Sequence, residues 1–559
     1  MRLAALVLAL ASAAQAAETR PEMILRGGKV FLGPGRYAEA VSVGGGRILK
    51  VGSLKDAAGW DASAARVVEL AGRAVVPGFH DSHVHFMKGA LSMGQANLDG
   101  VRSVEDVQER LRAYLKEHPG KDWVMGRGWD HTAFPGRRYP TNKDLDAVFP
   151  DRPVILMHVD EHLFWVNSKA LALAGIGGGT PDPAHGQIHR DAAGEADGII
   201  ELHDSSMEAQ RKVVPFPEPA KDELKAALRR ALALAREHGV TSFQGLLDVQ
   251  PEAQLEAWRE LAKAGEMTAR YAVWGPLEEP EPFAALKAKF ADLPADRFQF
   301  LALKGFLDGV ISARTAALFA PYTDDPKTKG DLLYTDAKLK ALVERGRAMG
   351  FQLVLHAIGD RAVRQALDVC AGPKAGYPDG AAACRVDHIE VTREADIPAF
   401  AAGGVVASLQ PSHITYDLES QNYNFDRVGT RIRWGFPWRS LGASGALVVF
   451  GTDWPVMPLD PRWGLFAATT RLHLDGKPAG GWVPEERLGL EETIVNYTLS
   501  PARAAGWAKD LGSIEPGKRA DLVVFEKDLF AVSGKDLMSV KVDMTVFDGK
   551  AVYERALEP

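Results

Sequence analysis

Phe79-His80-Asp81-Ser82-His83-Val84-His85 is the stretch on which the reading of this chain turns. It follows directly on the apolar run 75–79, so a short buried strand delivers imidazoles and a carboxylate at its end. His83 and His85 are two apart, so in an extended segment both rings point to the same side. Neutral imidazole is a ligand for zinc and similar divalent ions.

Outward from it, seven more apolar runs of strand length occur, at 239–244, 269–274, 298–305, 352–356, 385–388, 405–410 and 446–451. Helical patterns alternate with them, among others at 221–238, 252–265, 336–349, 361–370 and 393–403. Strand alternating with helix implies parallel pairing, and eight such strands make a (β/α)8 TIM barrel, an α/β fold whose C-terminal strand ends converge on one mouth. Read this way, His83 and His85 end the first strand, Lys304 the fourth, His356 the fifth and His388 the sixth. Asp453 ends the eighth, in Gly451-Thr452-Asp453-Trp454-Pro455. Four imidazoles, a carboxylate and a lysine at one mouth make chemical sense around metal. Burial and a nearby cation would lower the Lys304 pKa. The neutral amine could then capture carbon dioxide, and the resulting carbamate could bridge two metals roughly 3.5–4 Å apart. A substrate-facing or ion-paired Lys304 beside a single metal is the other reading, and Asp453 could instead cap a helix.

One interval breaks the rhythm. Residues 97–217, between the first and second strands, hold more chain than one crossover needs, including a strand-like 153–158, and read as an inserted lid or subdomain. At the two ends, 22–77, 520–526 and 542–553 are β-rich with glycine turns. The expected organisation is therefore a β-sandwich from both termini (17–77 with 508–559) around a barrel at 78–507. Met1 to Ala16, with Arg2, an apolar run at 3–14 and Ala14-Gln15-Ala16, has the layout of a signal peptide cleaved after Ala16. The run is shorter than the about 20 residues a membrane span needs, so the expectation is a soluble protein, periplasmic or secreted, without stable membrane insertion. With 66 Lys plus Arg against 73 Asp plus Glu, the net charge is -7, and the basic footprint of a nucleic-acid binder is missing. A 46% hydrophobic content excludes disorder as the main state. The two cysteines, Cys370 and Cys384, are compatible with a disulfide or with two buried thiols.

The six residues in order, each at a strand end, resemble the amidohydrolase superfamily, in particular its YtcJ-like branch, which includes enzymes similar to N-substituted formamide deformylases. The resemblance covers nearly the whole mature chain. It implies that His83 and His85 bind a first metal, that N6-carboxylated Lys304 bridges two divalent ions, with zinc expected, and that His356 and His388 bind the second. Asp453 would bind the first metal and move the proton. Trp129, Asp130, His162, Gln410, His413 and Trp454 fall in or beside segments expected to face a small-molecule substrate. Three departures stand out: Glu161 where the branch usually has glycine, Asp387 where glutamate usually precedes the histidine, and Asp308-Gly309-Val310-Ile311-Ser312 where Asp-Gly-Ser-Leu-Gly is common. The expected activity is hydrolysis of an amide-type C–N bond by a metal-held hydroxide. Trp129, Phe134, Trp165, Trp434, Trp438 and Trp454 suggest a hydrophobic or aromatic substituent on the substrate. A mononuclear deaminase or esterase on the same fold, or a non-catalytic periplasmic binding protein, are the rival readings, and homo-oligomerisation stays open.

Overall fold

A computed structural model describes residues 20–120, 122–183, 186–202, 207–371, 383–415 and 421–556; the segment Met1–Ala16, expected to be a signal peptide, lies outside them. Eight parallel strands form the barrel: β1 (Phe79–Val84), β2 (Val240–Leu246), β3 (Arg270–Pro276), β4 (Phe298–Phe306), β5 (Gln352–Ala357), β6 (Cys384–His388), β7 (Val406–Leu409) and β8 (Val448–Phe450). Buried residues run continuously along most of them, as expected of parallel strands covered on both faces. The ring closes just past β8, where Asp453 N donates to His83 O at 2.8 Å and His85 N to Trp454 O at 2.8 Å.

The expected first strand, 75–79, is split. Ala74–Pro77 belongs to the sheet of the termini, and β1 starts at Phe79. Pro77 lacks a donor for a continuing ladder. Gly78 passes so close to β2 that a Cβ there would lie 2.2 Å from Thr241 Oγ1. His80 and His83 therefore sit within the strand, and His85 immediately after it.

Both ends of the chain share one eight-stranded sheet, in which Val75 pairs antiparallel with Val524. One edge curls back on the sheet, since Ile48 N donates to Lys518 O at 2.8 Å and Ala520 N to Gly46 O at 3.0 Å, just ahead of the inner strand Leu522–Phe525. The expected sandwich is thus a single sheet rolled around its own core of Leu25, Val43, Ile48, Leu522 and Val546. Alternate residues Ala74, Val76, Val523 and Phe525 pack outward on the barrel's cluster.

The interval between β1 and β2 builds its own six-stranded sheet, from Ala96–Asn97 to Ala196–Leu202. Trp129, Leu156 and Trp165 lie in its separate core. The turn between its strands Val154–His158 and Leu163–Val166 reaches the mouth of the barrel. Cys370 and Cys384 form a disulfide, with Cα atoms 5.5 Å apart, which ties the helix Asp360–Cys370 to β6. No helix among the described residues is long and apolar enough to cross a membrane.

Candidate metal centre and active site

The centre is built on the joint between β1 and β8. The buried Asp81 carboxylate accepts from Thr452 N at 2.9 Å and from His83 N at 3.2 Å, so it pins the turn after β8 to β1. Gly451 permits the approach, because a Cβ there would stand 2.5 Å from His83 N. Asp453 then adopts a left-handed φ of 62° and turns its carboxylate to the histidines. It is no helix cap.

Asp453 Oδ1 lies 3.4 Å from His83 Nε2 and 3.6 Å from His85 Nε2. Behind the two rings stand other carboxylates. His85 Nδ1 is 2.9 Å from Asp248 Oδ2. His83 Nδ1 is 3.0 Å from Asp387 Oδ2, an ion-pair contact at an angle outside hydrogen-bond geometry. Carboxylates behind Nδ1, with Nε2 aimed inward, are the usual support of metal-ligating histidines. Asp453 Oδ2 is 3.5 Å from His413 Nε2 and 3.9 Å from His388 Nδ1. Asp453 Oδ1, His388 Nδ1 and His413 Nε2 are buried without a hydrogen-bond partner among the described residues. Orphaned polar atoms converging in this way fit a divalent cation. Two triads result, His83–His85–Asp453 and His388–His413–Asp453.

The charges support the fit. Burial opposes the charged form of His413, but Asp453 and Glu390 raise it to about 10. Without an ion the carboxylates thus draw a proton to that spot. Burial, then the Lys304 charge, depresses His83 to about 4, and burial holds His356 and His388 well below the usual imidazole value. Those three rings are neutral and available as ligands.

Two expected ligands stand apart from both triads. Lys304 Nζ bonds Asp387 Oδ2 at 2.6 Å, and Asp387 Oδ1 accepts from Arg385 Nε at 2.7 Å. A carbamate on Lys304 would replace that ion pair. His356 neighbours His388, with ring centroids 4.5 Å apart, but its Nε2 lies 3.2 Å from Gly309 O.

Of the expected substrate residues, His162 and His413 line the cavity above the centre. His162 enters it from the insertion, with Nδ1 held by Leu202 O at 2.9 Å. The others do not line it. Trp129 donates Nε1 to Leu156 O at 3.0 Å inside the insertion core, Gln410 is fully buried, and Trp454 packs over Gly89. Asp130 belongs to a separate cluster in the insertion. Nor does the aromatic set form the walls: Trp165 and Phe134 are insertion core, and Trp438 carries the Arg471 guanidinium at 4.3 Å. The walls are instead Val159, Phe306, Val310, Ile358, Val456 and Met457. No lysine or arginine occurs among the described lining residues. Arg314 and Arg427 pair with Asp324, and Arg433 with Glu485. Sequence reasoning missed Asp248 and Glu390 and gave Asp387 no role, naming it only as a departure from the family pattern; position just past or within a strand end was the signal for their roles.

An eight-stranded parallel barrel with clustered histidines and a carboxylate at its C-terminal mouth defines a metal-dependent hydrolase. The chain belongs to the amidohydrolase family, whose model matches residues 66–553, and to its YtcJ-like branch. It is 31% identical to the putative amidohydrolase YtcJ of Bacillus subtilis (strain 168), over 95% of this chain and 99% of that protein. It is 26% identical to the N-substituted formamide deformylase of Arthrobacter pascens, over 93% and 95% of the two chains. A metal-dependent hydrolase from Pyrococcus horikoshii OT3 shares its structure with a TM-score of 0.71 and 27% identity, covering 91% of this chain and 98% of that one.

Proposed function

We propose that this hydrolase cleaves the C–N bond of a small, neutral, N-substituted amide carrying an apolar substituent. The observation that carries the reading is the cavity itself: it sets the clustered histidines and Asp453 against apolar walls and has no described lysine or arginine to select an anionic substrate. The similarity to a formamide deformylase supports the same bond type.

His83, His85 and Asp453 would hold one cation, and His388 and His413 with Asp453 a second, zinc being the expected metal. When bound, such a cation polarises the substrate carbonyl and acidifies water. Asp453 Oδ1, lacking a hydrogen-bond partner among the described residues, takes the proton from the attacking water and returns it to the leaving nitrogen. Phe306, Val310 and Met457 receive the substituent and keep bulk water out, each buried methylene contributing about 0.8 kcal/mol. The chain is further proposed to be exported, with cleavage after Ala16.

The test is a matched series on protein of known metal content: formamides, larger amides and esters, with substituents from methyl to benzyl to carboxymethyl. The expected result is turnover of amides, with kcat/KM rising with apolar size and lowest for carboxymethyl. Preference for the carboxymethyl members, or cleavage of esters alone, would overturn the assignment.

A further inference from the structure

The insertion contains a second set of ligating side chains, away from the centre described above. Asp130 and His131 follow the strand Val124–Trp129, and His158 ends the adjacent strand Val154–His158. One ligand atom from each lies within 4.8 Å of the others, and all three residues are buried. His158 is oriented, because its Nδ1 lies 2.8 Å from Asp160 Oδ1. A carboxylate on Nδ1 leaves Nε2 with the lone pair. That nitrogen is 3.1 Å from His131 Nδ1 and 3.8 Å from Asp130 Oδ1. Ligand atoms 2.0–2.1 Å from a tetrahedral zinc are separated by about 3.3 Å, so both separations from His158 Nε2 are near an edge of such a site. The rings are held in place: His131 stacks on Tyr139 at 4.1 Å, and Trp129 meets His158 edge-on at 4.7 Å.

Charge points the same way. A bond from His131 Nδ1 to His158 Nε2 satisfies the two imidazoles, and Asp130 Oδ1 accepts from Thr132 N and Oγ1, each at 2.7 Å. Asp130 and Asp160 are both buried, and the basic side chain that both face is His158 rather than a lysine or arginine among the described residues. Buried negative charge needs a positive partner.

We propose that Asp130, His131 and His158 form a cation site separate from the catalytic centre, suited to a zinc-type divalent ion. The site reaches the cavity through Asp160, which accepts from Ser312 Oγ at 2.9 Å and from His162 N at 3.0 Å and lines the cavity with His162. An ion there would clamp the 159–162 turn of the insertion against the barrel. The inference does not rest on the proposed amide hydrolysis.

Anomalous diffraction at the zinc edge from crystals of the zinc-incubated parent protein tests it directly. A peak is expected between His131 Nδ1 and His158 Nε2. A map without that peak overturns the site whatever the catalytic cluster holds, whereas a missing peak at His83–His85–Asp453 counts against the catalytic reading instead. Retitration of chelated protein with zinc should show one ion fewer per chain in His131→Phe and in Asp130→Asn than in the parent. Parental ion counts in both variants, folded by circular dichroism, would also overturn it.

Discussion

Asp453 faces four imidazoles at once, His83, His85, His413 and His388, at 3.4–3.9 Å. Burial alone would raise its pKa, yet the neighbouring His83 and the contact with His413 hold it well below the carboxylate range. It is the residue through which both triads pass, and its roles in binding and in proton transfer can be separated. Asp453→Asn keeps an oxygen for a cation and removes the proton acceptor. Bound metal should stay near the parental level while kcat falls by roughly 10²-fold or more; near-parental turnover in the metallated variant would remove Asp453 from the chemistry. His83, His85 and Asp453 were legible in the sequence because their spacing and strand-end positions depend only on local geometry. Asp248 and Asp387 were not, since a single acid after or within an apolar run carries no spacing signal. Trp129 was misplaced for a related reason, as a tryptophan beside a motif reads alike whether it faces a cavity or a core.

At the level of elements, the eight barrel strands could be read from apolar runs because both of their faces are buried. The boundary of β1 could not, because 75–79 is apolar on both sides of the Pro77–Gly78 joint that sends it into two sheets. The insertion gave up only one strand in advance, since most of its strands are short and three carry glycine. The joint between β1 and β8 depends on Gly451. In Gly451→Ala the new Cβ would press on His83 N from 2.5 Å, and backbone cannot yield as a flexible side chain does. The variant should lose about 1–3 kcal/mol of stability, the range for overpacking, measured by denaturant unfolding. It should also bind metal more weakly than the parent. Unchanged stability and metal affinity would mean that the β1–β8 contact does not set the geometry of the centre.

Across the whole molecule, barrel and insertion meet at the mouth, while the terminal sheet joins the barrel at the N-terminal ends of β1 and β3. The rolled terminal sheet is fastened to the barrel by Arg270 of β3, buried between Asp521 and Asp548. The insertion supplies His162 and the 159–162 turn. That long-range assembly is invisible to periodicity, which sees each segment alone, and it explains why the expected tryptophan-rich mouth is lined by Phe306 and aliphatic residues instead: the tryptophans stabilise the joined cores. The central claim is that hydrolysis at this mouth needs the cations its histidines and Asp453 are arranged to hold. Turnover of an N-substituted formamide by chelated protein, measured as zinc is added back, tests it most directly. Activity should vanish on chelation and return in proportion to the ions bound, and full turnover by the metal-free protein would contradict the account.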